Sequence, residues 1–348
     1  MGRGGARCAG PIAAAIGVAF VLAACGSQTS PPAAPSTLPA ASPDHTTAPV
    51  ISTTPSPSAS VPPAAVGAPA LRIGRSAIRL PVGRSRSVAL ALGSEILVCG
   101  GLTSAGTTGS ILRINLSSGV VSAGGTLPAP VHDAGGAVLN GAGFIFGGGR
   151  FGPGATAQRV GAAGTAASTG RLPADRADLV AVAIPGQLVL VGGGTTTFYD
   201  RRVLATTDGI HFSTIATLLV GVRYPAVAVL NGLIYVIGGS TPAGSSAAIQ
   251  ELNPHTGSVR LVGHLAHGLS DASAFVLGES LFIAGGRTAG RAQDALLELN
   301  ATTGGVRQVG RLPYAVADLA VVVVGTTGYL IGGETPGLVA SVITVSLH

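Results

Sequence analysis

The chain contains no lysine and no tryptophan, only three cysteines, and charged side chains at just 10% of its 348 positions. Without lysine, a phosphate loop ending in Gly-Lys-Ser/Thr is excluded. All 20 basic residues are arginine, a choice that reads as genomic composition. Three cysteines do not make a disulfide framework. No basic face studded with aromatics accompanies the net charge of +6, so nucleic acid is not an implied partner. What the chain has instead is 54 glycines, 23 prolines and a 47% hydrophobic fraction. That much apolar surface offsets chain entropy and excludes a wholly disordered protein. Abundant glycine suits many tight turns and closely approaching backbones.

The first residues form a leader. Arg3 and Arg7 supply a positive start, and Ile12 to Leu22 a short apolar core, too short for a spanning helix. Leu22-Ala23-Ala24-Cys25 resembles the lipobox of bacterial lipoproteins. That resemblance implies a signal peptide over 1–24, removed before Cys25, and a lipidated Cys25. Several acyl chains anchor firmly where one would not. Cys8 leaves with the leader, and Cys99 remains as a lone, buried thiol inside an apolar run. Residues 25–69 are rich in Ser, Thr, Ala and Pro, with 11 prolines and almost no charge between 26 and 69. Such a segment builds no core and reads as a disordered, extended stalk reaching on the order of 100 Å. The expected location is the extracytoplasmic face of the cell membrane, held there by lipid.

From residue 70 onward the chain repeats. An apolar run ends in a glycine pair beginning at Gly100, Gly147, Gly192, Gly238, Gly285 and Gly332, at intervals of 47, 45, 46, 47 and 47 residues. A second landmark holds the same register. Leu80, Leu127, Leu172, Leu218, Leu265 and Leu312 each lie six residues before a fixed position, occupied by Arg86, Asp133, Asp178, Tyr224, Asp271 and Asp318. Each fixed position precedes its glycine pair by 14 residues. Asn140-Gly141 and Asn231-Gly232 mark hairpin turns in which both central residues need positive φ. Four short strands per unit and a period of this size predict an all-β, six-bladed propeller over 70–348. The sixth unit lacks its outermost strand, whereas Leu71–Leu80 precedes the first complete unit. The N-terminal strand is therefore expected to pair with Val339–Leu347 and close the ring. The early arginines, Arg72, Arg75, Arg79, Arg84 and Arg86, read as a charged edge strand protected against aggregation, or else as a patch for anionic polymer or lipid headgroups.

The hydrophobic run into Gly-Gly, the Asn253-Pro254-His255-Thr256-Gly257 and Asn300-Ala301-Thr302-Thr303-Gly304 turns, and the Leu-Pro step resemble the kelch-repeat (galactose-oxidase-like) propellers across 70–348. The departure is tryptophan, usual on the family's fourth strand and absent from every blade, so smaller side chains are expected in that layer.

In such a propeller the fixed positions ring the mouth of the central channel. Arg86, Asp133, Asp178, Tyr224, Asp271 and Asp318, with Arg150 and Arg287, are the candidate ligand-binding residues, and Tyr199, Asp200, Arg201 and Glu334 extend the rim. The competing reading has each Asp capping backbone N–H groups of its own or the next blade. No metal and no cofactor are implied, because a six-fold ring spaces the carboxylates too widely for a hard cation and His132, His264 and His267 stand in no ligand spacing. Gly147 to Gly154 is glycine-rich, but no helix follows, so it reads as a blade loop. Thr206 to Phe212 is similar to the Asp-box of sialidase-type propellers, a structural hairpin. The copper-radical oxidases of the family need a Tyr–Cys crosslink at the axis, which Cys99, in a second strand, does not supply. The leading functional expectation is a monomeric, membrane-anchored module that binds an envelope protein or glycan. The alternatives are a carbohydrate-active enzyme of sialic-acid-mutarotase type and a passive envelope lipoprotein.

Overall fold

A second strand reads as an unbroken apolar run when both of its faces are covered. In the computed structural model, which describes residues 71–347, alternate residues of each such run enter two different cores. Ile96 and Val98 pack on one side of their strand and Leu97 and Cys99 on the other. Ile234 and Val236 separate from Tyr235 and Ile237 in the same way. The leader, Cys25 and the stalk lie outside the described residues.

Six four-stranded antiparallel sheets make the blades of a β-propeller, and no helix occurs among the described residues. The innermost strands are Val88–Leu92, His132–Leu139, Ala177–Ile184, Ala226–Leu230, Ser273–Leu277 and Ala320–Val324. Each blade runs outward from there in chain order, except the sixth. Its outermost strand is Leu71–Arg79, paired antiparallel with Ser341–Leu347 in the register Leu71↔Leu347, Ile73↔Val345 and Arg75↔Ile343. The last strand begins at Ser341, two residues later than the sequence suggested. Val339 and Ala340 still join the clasp, accepting from the N–H groups of Arg84 (3.0 Å) and Leu80 (2.8 Å).

The hydrophobic interior divides into six cores, one at each blade junction. The junction of blades 6 and 1 brings Ile331 and Val342 against Ile96, Val98 and Ile114, with Ile78 and Leu80 beside them. This sixth core is the physical content of closure.

Both landmarks have a structural cause. Each landmark leucine is buried, and its N–H closes the outermost strand onto the third: Leu127 to Gly109 O, Leu172 to Ala155 O, Leu312 to Asp294 O, all 2.7 Å. Each glycine pair stitches its blade to the next. The second N–H of the pair donates across the junction, as in Gly101 to Val131 O (2.7 Å), Gly239 to Leu269 O (2.8 Å) and Gly333 to Arg84 O (2.8 Å). The first glycine of every pair has φ between 62° and 68°. A Cβ there would meet that same carbonyl oxygen at 2.1 to 2.8 Å. Two glycines are thus required by backbone conformation and by space.

The turns follow their composition. Asn140-Gly141 and Asn231-Gly232 have positive φ at both residues, as primed turns require. Asn115, Asn253 and Asn300 each accept two N–H groups of their own turn through Oδ1. In blade 3 Asp208 does the same for Ile210 and His211, both at 2.8 Å. The Asp-box likeness is thereby accounted for as turn chemistry.

The edge reading of the early arginines holds for Arg72, Arg75 and Arg79, exposed on the outermost strand. Arg84 departs from it. Its side chain is 2% exposed and inserts between blades, where Nη1 donates to the carbonyls of Gly100 (2.9 Å) and Ser110 (3.1 Å) and Nη2 to Ser110 Oγ (2.6 Å). Val131, Val222, Leu269 and Val316 fill the equivalent slot in four other blades, and in blade 3 it holds Arg176, ion-paired with the buried Asp200. Beside Arg84, burial pushes the Cys99 thiol up to about 12 even though the guanidinium favours the thiolate.

Around the periphery, backbone meets backbone across the blade junctions. A Cβ on Gly125 would lie 2.4 Å from Gly164 O of the next blade's turn, and one on Gly263 2.2 Å from Gly304 O. Glycine therefore lets neighbouring outer strands and turns touch directly.

Candidate functional site

The six fixed positions share one backbone conformation. Arg86, Asp133, Asp178, Tyr224, Asp271 and Asp318 all have φ between 53° and 61°. That left-handed region is costly for residues with a Cβ, least so for Asp and Asn. The cause is a run of peptide groups around the channel mouth, joined by backbone hydrogen bonds at five steps. Asp133 donates its N–H to Arg86 O (3.2 Å), Tyr224 to Asp178 O (2.9 Å), Asp271 to Tyr224 O (3.2 Å), Asp318 to Asp271 O (2.9 Å) and Arg86 to Asp318 O (3.1 Å). Asp recurs here because it tolerates the turn.

The carboxylates do not cap backbone N–H groups; they take guanidinium and hydroxyl donors instead. Arg86 lies 3.3 Å from Asp133, 3.8 Å from Asp318 and 3.0 Å from Glu334. Arg287 reaches Asp318 at 3.1 Å, Glu334 at 2.8 Å and Asp271 at 3.8 Å. Arg223 pairs with Asp178, and the nearby Tyr224 hydroxyl also favours the carboxylate there. Ser85 and Ser270 donate to Glu334 (2.8 Å) and Asp271 (2.7 Å). Five carboxylates thus share three guanidinium groups in one collar.

The collar tops a cavity of about 260 Å³ between the innermost strands, walled further down by small residues such as Ala89, Gly136, Ala181, Ala274 and Val321. Arg287 and Glu334 sit on the collar with the fixed positions. Arg150 does not: it stacks on Phe151, 4.9 Å from the ring centroid, in the loop after the glycines of blade 2. Tyr199 and Arg201 belong to the equivalent loop of blade 3, whereas Asp200 turns inward to Arg176 and Arg202. His132 reaches the collar, its Nδ1 2.9 Å from Thr107 Oγ1 and its Nε2 3.6 Å from Asp133. His264 ends the outermost strand of blade 4 and His267 lies on the connection to blade 5, both exposed. Among the described residues, no group of three or more His, Cys, Asp or Glu is placed to hold a metal ion.

Sequence reasoning missed Ser85, Arg223 and Ser270, which all stand one residue before a fixed position. Given the repeat register, a hydroxyl or guanidinium at that step was the available signal.

Unequal sharing of charge sets the protonation of the collar. Burial, reinforced by Asp178 and Asp318 and only partly countered by Arg86, pushes Asp133 up to about 8. Burial and the nearby Asp271 and Glu334 carry Asp318 to about 7, against Arg86 and Arg287. Burial also works against the charge of Arg86, but three carboxylates together hold its guanidinium charged. Glu334, despite its burial, is held below the usual carboxylate range by Ser85, Arg86 and Arg287.

These protonation equilibria set a pH dependence. Asp133 and Asp318 bind protons in the folded protein at pH values where the unfolded chain has released them, so stability falls as pH rises from about 4 to about 8. Each pH unit by which a folded carboxyl titrates above its unfolded counterpart corresponds to about 1.4 kcal/mol, so the loss is on the order of several kcal/mol. Thermal unfolding at pH 5 and pH 9 is expected to show it, with Asp133→Asn flattening the profile. Equal midpoints at the two pH values would contradict the charge distribution described.

No protein-family model matches the chain, and no curated protein matches it. The class is therefore defined by the fold and its collar: a six-bladed β-propeller whose channel mouth is ringed by residues from every blade.

Proposed function

We propose that this is a kelch-like propeller of a bacterial lipoprotein, anchored through Cys25 at the extracytoplasmic face of the membrane, and that it binds a protein or glycan of the envelope at the channel mouth. The observation that carries the binding reading is the collar. Six blades converge charged and hydroxyl groups on one opening, held by backbone left-handed turns and interlocking ion pairs above the channel cavity. Preorganised polar groups around a concave opening are what ligand sites are built from. A monomeric domain on a stalk suits capture of a partner held elsewhere in the envelope.

The test uses Asp271→Asn and Arg287→Gln, which alter collar donors and acceptors without touching the six blade cores. Affinity capture from envelope extract and an array of envelope glycans are read for both. Loss of retention by about tenfold or more, with the unfolding midpoint preserved, supports the reading, since hydrogen bonds to charged groups contribute about 1.5–3 kcal/mol. Retention unchanged while stability falls would reduce the collar to a lock on the ring.

One observation favours the mutarotase reading as a second. At neutral pH a protonated Asp133 sits 3.6 Å from His132, whose burial and the nearby Arg86 favour the neutral ring. That pairs an acid with a base, as opening and closing a sugar ring demands. Anomer exchange measured by magnetisation transfer, abolished in Asp133→Asn, would establish it.

A further inference from the structure

We propose that the mouth-side loops of blades 2 and 3 form a membrane-docking surface that takes anionic phospholipid headgroups, adjoining the collar where Tyr199 packs on Arg223 but built from other residues. The repeat itself points there. In blades 1, 4 and 5 the loop after the glycine pair is a short ribbon, Leu102–Thr103 with Gly106–Thr107 and its equivalents, with polar or small residues at the tip. Blades 2 and 3 abandon that ribbon. Their second strands run on through a third glycine, to Gly149 and Gly194, and tight turns follow, bridged Gly149↔Pro153 and Gly194↔Tyr199. Each turn presents a phenylalanine to solvent, Phe151 at 94% exposure and Phe198 at 55%. Leu219, 47% exposed, lies on the connection that follows blade 3, tied to the same loop by Arg201 Nε donating to Leu218 O at 2.6 Å. None of the three lines the channel cavity.

The charges around these apolar side chains decide what covers them. Arg150 lies on Phe151, and neither it nor Arg201 has a carboxylate partner among the described residues. The acids of the sector are already neutralised, Asp175 by Arg171 at 3.6 Å and Asp200 by Arg176 and Arg202. The sector is therefore net positive, with exposed apolar side chains beside unpaired guanidinium groups. A bilayer interface matches both features at once, receiving the rings at the acyl boundary and the arginines at the phosphates. An acidic glycan would satisfy the arginines but leave a fully exposed ring at a turn tip without an enclosing wall. A tether at Cys25, on the reading above, would keep this weak surface near lipid at high effective concentration.

The test uses the protein carrying Cys25→Ser, so that no acyl anchor contributes. It is sedimented with vesicles of phosphatidylcholine alone and with vesicles containing about a third phosphatidylglycerol. Binding to the anionic vesicles is expected to be at least about tenfold stronger and to weaken with added salt. Phe151→Ser with Phe198→Ser should remove most of it. Arg150→Gln with Arg201→Gln should lower it on anionic vesicles only. Both double variants alter exposed positions, and circular-dichroism melts confirm that they remain folded. Equal binding to both vesicle types, or anionic binding untouched by the phenylalanine pair, overturns the proposal. So does retention on an acidic-glycan array that depends on these same four residues while vesicles are ignored. Loss of vesicle binding with collar-dependent capture intact leaves the proposed function standing, so the two readings fail separately.

Discussion

Gly238→Ala is expected to destabilise the propeller by at least about 3 kcal/mol, whereas Gly232→Ala, six residues away, should cost about 1 kcal/mol. Both glycines have positive φ, 62° and 76°. They differ in what a methyl group meets. At Gly232 nothing lies within 4 Å, so only the left-handed conformation is penalised. At Gly238 the new Cβ would stand 2.2 Å from Leu269 O. That carbonyl accepts the N–H of Gly239 at 2.8 Å, so moving it aside also breaks the bond between blades 4 and 5. Conformation, contact and a buried hydrogen bond add at one position. Denaturant unfolding of the two variants is the measurement, and equal losses would show that the glycine pairs serve turn conformation alone.

Removing Leu71–Arg79 is expected to abolish the monomeric native state. The deletion strips the outermost strand from blade 6 and leaves the edge of Ser341–Leu347 unpaired. It also takes Ile78 from the core between blades 6 and 1, and Leu71 and Ile73 from the core between blades 5 and 6. Each large apolar side chain buried contributes about 1.5–3 kcal/mol, against a total stability of about 5–15 kcal/mol for a typical domain. An exposed, apolar strand edge then invites pairing with another chain. Light scattering is expected to report association and calorimetry a lost or much lowered transition. A truncated chain that stays monomeric and melts at the same temperature would show that closure contributes little.

Particular residues show how far the order of the chain is legible from its letters. Period, blade count and strand sequence were readable because every blade solves the same packing problem, with an apolar run covered on both faces and a glycine pair at the junction. The clasp was readable because a strand was missing at one end and spare at the other. Arg84 was not: it shares the charge of Arg72, Arg75 and Arg79, and only the neighbouring carbonyls of Gly100 and Ser110 explain a guanidinium in a slot that holds valine or leucine in four of the other five blades. Asp200 likewise reads as a rim acid until Arg176 is seen facing it.

The collar marks the same boundary. That Asp133, Asp178, Asp271 and Asp318 occupy equivalent places follows from counting along the chain. That they stand in a left-handed ring, share Arg86, Arg223 and Arg287, and keep two protons to near neutrality depends on arginine partners from 16 positions away, Arg287 to Asp271, to 232, Arg86 to Asp318. Local sequence determines what a segment prefers, and so it specified strands, turns and repeat. Charge sharing and burial depend on distances between segments, and only the closed ring of blades decides those.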